Sequence, residues 1–170
     1  MSGIGATDGL QRAPVAFVRV GRPPSANKNL GTAGRRIQQE LANLYREAEG
    51  AYSNAHRYGI IYYFVRNYRA SNDADAGNVG KRVWDALEGV AYRDDHVVRM
   101  QVSGLIEIGQ APSGEVAFED IDLTDIPAGA LNQLLGLIAE GVPHILYVEL
   151  GDIRPSLFMF NLGFNQGGAS

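Results

Sequence analysis

Apolar and polar positions along this chain fall into short blocks of two distinct periods. The run Pro14 to Val20 (PVAFVRV) is apolar and β-branched between a proline and a glycine, and predicts a strand. A turn-rich stretch, Gly21 to Asn27, follows, stiffened by Pro23 and Pro24. From about Gly34 to Ala55 the period changes. Ile37, Leu41, Leu44, Tyr45 and Ala48 recur at three- and four-residue steps, which is one face of a helix. Tyr58 to Tyr68 is aromatic and β-branched and predicts a buried strand. Ser71 to Gly77 predicts a loop. A second helix is expected from Asn78, its N-cap, to about Gly89, with Val79, Val83, Leu87 and Val90 as an apolar stripe beside Trp84. His96 to Ile108 alternates as a strand, with a break or bulge expected near Gly104. Glu115 to Ile121 is a further strand candidate. Ala128 to Glu140 predicts a helix starting after Pro127, and His144 to Leu150 and Leu157 to Phe160 predict short strands. Together these give an α/β or α+β domain: a small mixed sheet packed by two or three helices.

Size and composition narrow the class. A chain of 170 residues fits one domain with room for an appendage, and buries a sizeable core. The expected division is a flexible N-terminus at 1–13, a domain at 14–108 and an acidic C-terminal extension at 109–170 packed on the same domain. The absence of cysteine excludes disulfides and thiolate metal sites and agrees with a cytoplasmic location. No apolar run reaches the ~18 residues of a membrane span, so no membrane partner is expected. Met1 to Gln11 carries no hydrophobic signal core.

Charge is unevenly spread. Residues 1–70 hold ten basic and four acidic side chains, residues 71–104 four and six, and residues 105–170 one and nine. A basic first part beside an acidic centre suits a protein that grips phosphates with arginine and a metal with carboxylate. Solvated faces of differing sign are the plainer explanation. The acidic last third is expected to face away from DNA or to oppose its binding, so that removing 109–170 would tighten it.

Five aspartates crowd one segment: Asp73, Asp75, Asp85, Asp94 and Asp95, with Lys81 among them. Gathered carboxylates require a compensating cation or raised pKa values. Hard oxygen ligands suit Mg²⁺ or Mn²⁺. On an extended loop Asp73 and Asp75 point the same way. Lys81, Asp85 and Glu88 form a polar stripe, with Lys81 in the first turn, where a cation opposes the helix dipole. The alternatives are an Asn/Asp turn at each aspartate pair and a Lys81–Asp85 surface pair. The three histidines, His56, His96 and His144, lack the spacing of a zinc helix and read as structural.

The order of these pieces resembles the RusA-type Holliday junction resolvases. The pieces are Pro23-Pro24-Ser25-Ala26-Asn27, Asp73-Ala74-Asp75, Asn78-Val79-Gly80-Lys81, Asp85-Ala86-Leu87 and Tyr92-Arg93-Asp94-Asp95. The resemblance covers roughly residues 14–108. It implies a RusA-like nuclease domain and a Mg²⁺-dependent, structure-selective endonuclease, with Mn²⁺ as an alternative metal. Such an enzyme resolves four-way DNA junctions in recombination and repair as a homodimer. By that likeness Asp73, Asp75 and Asp95 would ligate the metal and Lys81 would assist the phosphate chemistry. Asn78, Asp85 and Asp94 would support the site. Arg22, Lys28, Arg35 and Arg36 are candidate phosphate contacts that position DNA. Two departures stand out. Ala76-Gly77 interrupts the motif, and Leu105 lies about where the family often carries a lysine. They motivate a rival expectation, a DNA-binding or assembly protein that kept the fold and lost the chemistry. A small-molecule hydrolase using the same carboxylates is a third.

Overall fold

The computed structural model describes residues 13–23, 31–69, 73–109 and 126–153. Among them are four strands and three helices: β1 (Val15–Val20), α1 (Thr32–Glu47), β2 (Arg57–Val65), α2 (Ala76–Leu87), β3 (Val98–Glu107), α3 (Ala128–Ala139) and β4 (His144–Asp152). A short 3₁₀ turn, Asp95–Val97, leads into β3. The strands form one sheet in the order β1-β4-β2-β3. β2 and β3 run parallel, joined across the sheet by α2, and β4 runs antiparallel to both of its neighbours. The α+β class and the mixed sheet are therefore as expected.

Strand alternation sorts the core into two layers. Ile61, Tyr63 and Val65 of β2 join Phe17, Leu146, Val148 and Leu150 beneath α1 and α2, which contribute Leu41, Tyr45, Val79, Val83, Trp84 and Leu87. Phe64, Ile145, Tyr147 and Val18 face the other way and are packed by Ala130, Leu134 and Ile138 of α3. Both faces of β4 are covered, which explains its nearly continuous run of buried residues. Residues 126–153 thus complete the sheet and its second face. What reads in sequence as an acidic extension carries, in its described part, the strand between β1 and β2. The strand candidates at 115–121 and 157–160 lie outside the described residues.

Three boundaries differ from the expected ones. Helix α1 stops at Glu47, well before Ala55, because Glu49 turns left-handed (φ 59°) and Gly50 N–H closes back on the Tyr45 carbonyl at 2.9 Å. Helix α2 starts at Ala76, with Asp75 as its N-cap, three residues before the expected cap Asn78. Strand β3 runs unbroken past Gly104, and the register shift lies at Arg57/Tyr58 instead. Gly104 makes room for a ring: a Cβ there would sit 3.0 Å from Tyr62 Cδ1.

Gly59 on β2 has a similar task. A Cβ at this position would lie 2.3 Å from the Trp84 ring, so the missing side chain lets α2 seat its indole on the sheet. Trp84 Nε1 then donates to Gln101 on β3 at 2.7 Å. Gly59→Ala is expected to push α2 outward and lower stability by about 1–3 kcal/mol, the usual range for overpacking. A thermal melt followed by Trp84 fluorescence measures this, and an unchanged midpoint would contradict it.

Candidate functional site

The aspartate segment wraps around α2. Asp73 lies just after the residues that leave β2, and its carboxylate is almost wholly buried, with 1% of the side chain exposed. The loop closes on itself, since Asp73 N–H donates to the Arg69 carbonyl (2.8 Å) and Arg69 N–H donates to Asp73 Oδ2 (2.9 Å). The Tyr63 hydroxyl, from the middle of the sheet, reaches Asp73 Oδ1 at 3.4 Å. Arg22, on the corner that follows β1, completes the cage with its Nε 3.1 Å from Oδ1. Two stretches about fifty positions apart in sequence therefore meet as an ion pair.

His144 joins the same cluster. Arg22 Nε–H donates to His144 Nε2 at 3.1 Å, and His144 Nδ1 lies 2.9 Å from the Tyr63 hydroxyl. A guanidinium can only donate, so Nε2 is the acceptor and the neutral ring carries its proton on Nδ1. The chain of donors then runs from His144 to Tyr63 to Asp73. Burial and the Arg22 charge both hold the His144 pKa below its ordinary value, against the opposing pull of Asp73. The Tyr63 hydroxyl is pushed well above the usual tyrosine range, first by burial and then by the Asp73 charge. Tyr63 thus stays protonated and His144 neutral near pH 7. Neither was singled out as chemistry in the sequence. Tyr63 sits in a run of aromatics that reads as core, which it also is, and His144 has no spaced partner.

Asp75 faces elsewhere. It is exposed and caps α2, accepting Asn78 N–H at 2.8 Å on one oxygen and Asn78 Nδ2–H at 2.6 Å on the other. Asp73 and Asp75 therefore do not present a common face, because one closes a loop inward and the other begins a helix. Asn78 is the capped partner and not the cap. Ala76-Gly77 forms the first turn of α2, which shifts Lys81 into the second turn, where it is exposed. The dipole argument for Lys81 loses its force at that depth.

The remaining carboxylates gather at the far end of α2. Asp95 opens the 3₁₀ turn ahead of β3, and with Asp85 and Glu88 it raises the Tyr92 hydroxyl pKa, burial being the larger cause. That hydroxyl donates to the Trp84 carbonyl at 2.9 Å, nine positions along the helix from Asp75, or roughly 13 Å at about 1.5 Å per residue. Asp94 caps the 3₁₀ turn and pairs with His96 Nδ1 at 2.6 Å. The His96 N–H and ring hold the exposed Asp94 carboxyl below its ordinary pKa. Among the described residues, no group of three or more His, Asp or Glu side chains is set to hold a metal ion.

Of the arginines singled out, Arg22 is in the cluster, Arg35 is exposed on α1, and Arg36 pairs with Glu40 at 3.6 Å. Lys28 and the Ser25-Ala26-Asn27 piece lie outside the described residues. Leu105 packs against the core beneath α1 and α2. A separate cavity of about 270 Å³ opens at the other end of the sheet, walled in part by Tyr45, Glu49, Arg57 and Asp152. None of the singled-out residues lines it. No protein-family model matches the chain, and no curated protein matches it significantly. Among the described residues, no helix is long and apolar enough to cross a membrane.

Proposed function

We propose that this chain is a cytoplasmic, divalent-metal-dependent DNA endonuclease of the RusA type, selective for branched DNA and acting as a homodimer in recombination and repair. The observation that carries the reading is the Arg22–Asp73 ion pair. It joins Arg22, the candidate phosphate contact next to the Pro23 end of one motif piece, to the Asp73 loop of another, about fifty positions away in sequence. The Asp73 oxygens are donors of the type Mg²⁺ and Mn²⁺ prefer, and in this structure Arg22, the Tyr63 hydroxyl and the Arg69 N–H hold them. Bound there, such an ion would supply an activated water and neutralise charge growing on the phosphate. Lys81, exposed on the second turn of α2, adds a point charge toward the same phosphate. Arg22 and Arg35 hold the strand without reading bases.

Asp95 stands at the opposite end of α2 from Asp73 and Asp75. All three do not converge on one ion within a single chain, and a twofold partner is the route by which Asp95 would join. Cleavage of a synthetic four-way junction tests the reading. Asp75→Asn and Asp95→Asn are each expected to lower nicking by at least about a hundredfold, while junction binding survives. Both residues are exposed, and asparagine preserves a helix cap, so folding is expected to be intact. Normal cutting by both variants would overturn the assignment.

A second reading is a DNA-binding protein that has lost the chemistry. It is favoured by the carboxylate partners already in place, Arg22 on Asp73 and Asn78 on both oxygens of Asp75. It requires junction affinity without Mn²⁺ uptake.

A further inference from the structure

Strand β3 is an outer strand: among the described residues it pairs with β2 alone. Ile108 N–H donates to the Val65 carbonyl at 2.8 Å. By strand alternation Gln101, Ser103, Leu105 and Glu107 turn their N–H and C=O groups away from β2. Such a row is a template for another strand, and proteins guard it with proline, lysine or a bulge. β3 carries no proline and no lysine, and its register shift touches only the first residues, beside Arg57/Tyr58. Its only charges are Arg99 and Glu107, opposite in sign and near the two ends. Both are exposed, and neither forms an ion pair among the described residues. Between them Val102 is 45% exposed.

We propose that a second copy of this chain docks along β3, antiparallel, about a twofold axis at Ser103. The proposal rests on the nuclease reading only for the homodimer, to which it gives an interface. A twofold contact must be complementary to itself. Centred on Ser103, the strand is: Arg99 of each copy faces Glu107 of the other, which makes two ion pairs from one segment. Moving the centre one residue either way keeps the hydrogen-bond pattern but sets Arg99 opposite Leu105 or Gly109 and loses both pairs. The same register sets Met100 opposite Ile106 and Val102 opposite Gly104. Ile106 already packs on the α3 layer, so Met100, Val102 and Ile106 of both copies would extend that layer as one apolar strip. Helix α2 lies over both β2 and β3, with Trp84 at Gly59 and Gly80 at Ser103. With strands about 4.8 Å apart, its two copies would run side by side roughly 10 Å apart, an ordinary distance for packed helices.

Sedimentation equilibrium of the full chain tests this, and the unaltered chain is expected to be a dimer. Arg99→Glu and Glu107→Arg each set like charges face to face at both ends, and each is expected to weaken dimerisation by at least about tenfold. The two substitutions together restore opposite charges and are expected to restore the dimer. Both positions are exposed, so folding is expected to be intact. Amide hydrogen exchange of the unaltered chain gives a second readout that needs no variant. The Gln101, Ser103, Leu105 and Glu107 amides are expected to be protected in concentrated protein and to lose protection on dilution. A dimer indifferent to the single substitutions, or one that the double substitution does not restore, overturns this interface and leaves the homodimer standing. A monomer whose β3 amides stay protected covers its own edge, and overturns interface and homodimer together. Junction cleavage decides the nuclease reading separately from either result.

Discussion

A chain ending at Gly109 will not fold. The cut removes β4, whose Ile145, Leu146, Tyr147 and Val148 are completely buried, and with it the only strand partner of β1 among the described residues. The remaining β2-β3 pair would expose a full ladder of unpaired N–H and C=O groups on β2, each of which needs a partner or water. Loss of α3 uncovers Phe64 and Val18 on the second face. Such changes exceed the ~5–15 kcal/mol by which a domain is usually stable. Far-UV circular dichroism is expected to lose most strand signal, and the thermal transition to vanish. A cooperative melt from the truncated chain would refute the central role of β4. The same geometry bears on whether the acidic last third restrains DNA binding. Deleting 109–170 would unfold the sheet before any restraint could be measured, so the informative change keeps the chain whole and replaces Glu115, Glu119, Asp120 and Asp122 by their amides.

The second large effect is expected at Glu149. This carboxylate is 4% exposed, on the α3 side of β4, and accepts the hydroxyls of Tyr58 (2.7 Å) and Tyr147. Burial, followed by the hydrogen bond to Glu149, keeps the Tyr147 hydroxyl protonated far above neutrality. Glu149→Leu would leave two buried hydroxyls without their acceptor, at about 1–3 kcal/mol each. The expected total, about 2–6 kcal/mol, is large beside the stability of a whole domain. Urea unfolding measures it. Adding Tyr58→Phe to the leucine variant removes one of the two hydroxyls that lost Glu149 and should recover part of the loss. A leucine variant as stable as the parent would show that the tyrosines find other partners.

Legibility in the sequence followed the strength of local periodicity. Every described helix and strand corresponds to a segment that the apolar pattern predicts; β2 and β4 are buried along most of their length, whereas the edge strand β3 holds only half-buried and exposed side chains. The sheet order did not follow, since β4 looks like any short apolar run and nothing local tells a strand that it will insert between β1 and β2. Helix ends failed where a single residue decided them. Glu49 in the left-handed region ends α1, and the side chain of Asp75 starts α2 earlier than Asn78 would. At the candidate site, the crowding of aspartates drew attention to residues 73–95, and Arg22 was one of four basic residues of the first part expected to contact phosphate. What could not be read was that Asp73 turns inward while Asp75 turns outward. That depends on a loop closing through Arg69 and on Tyr63 and His144 arriving from two strands. Contacts of that kind follow from tertiary register, which composition and spacing do not carry.

The place of β4 in the sheet also sets an order of events during synthesis. Val15 pairs with Leu150 and Val20 with Ile145, so β1 leaves the ribosome long before the strand it needs. Until then the nascent chain can assemble the β2–α2–β3 unit with α1 packed on it, whose contacts are closer in sequence. Closing so long a loop comes late and slowly. The half-built protein therefore carries an apolar ribbon in search of a neighbour, and in a crowded cell it would depend on a holding chaperone during that interval.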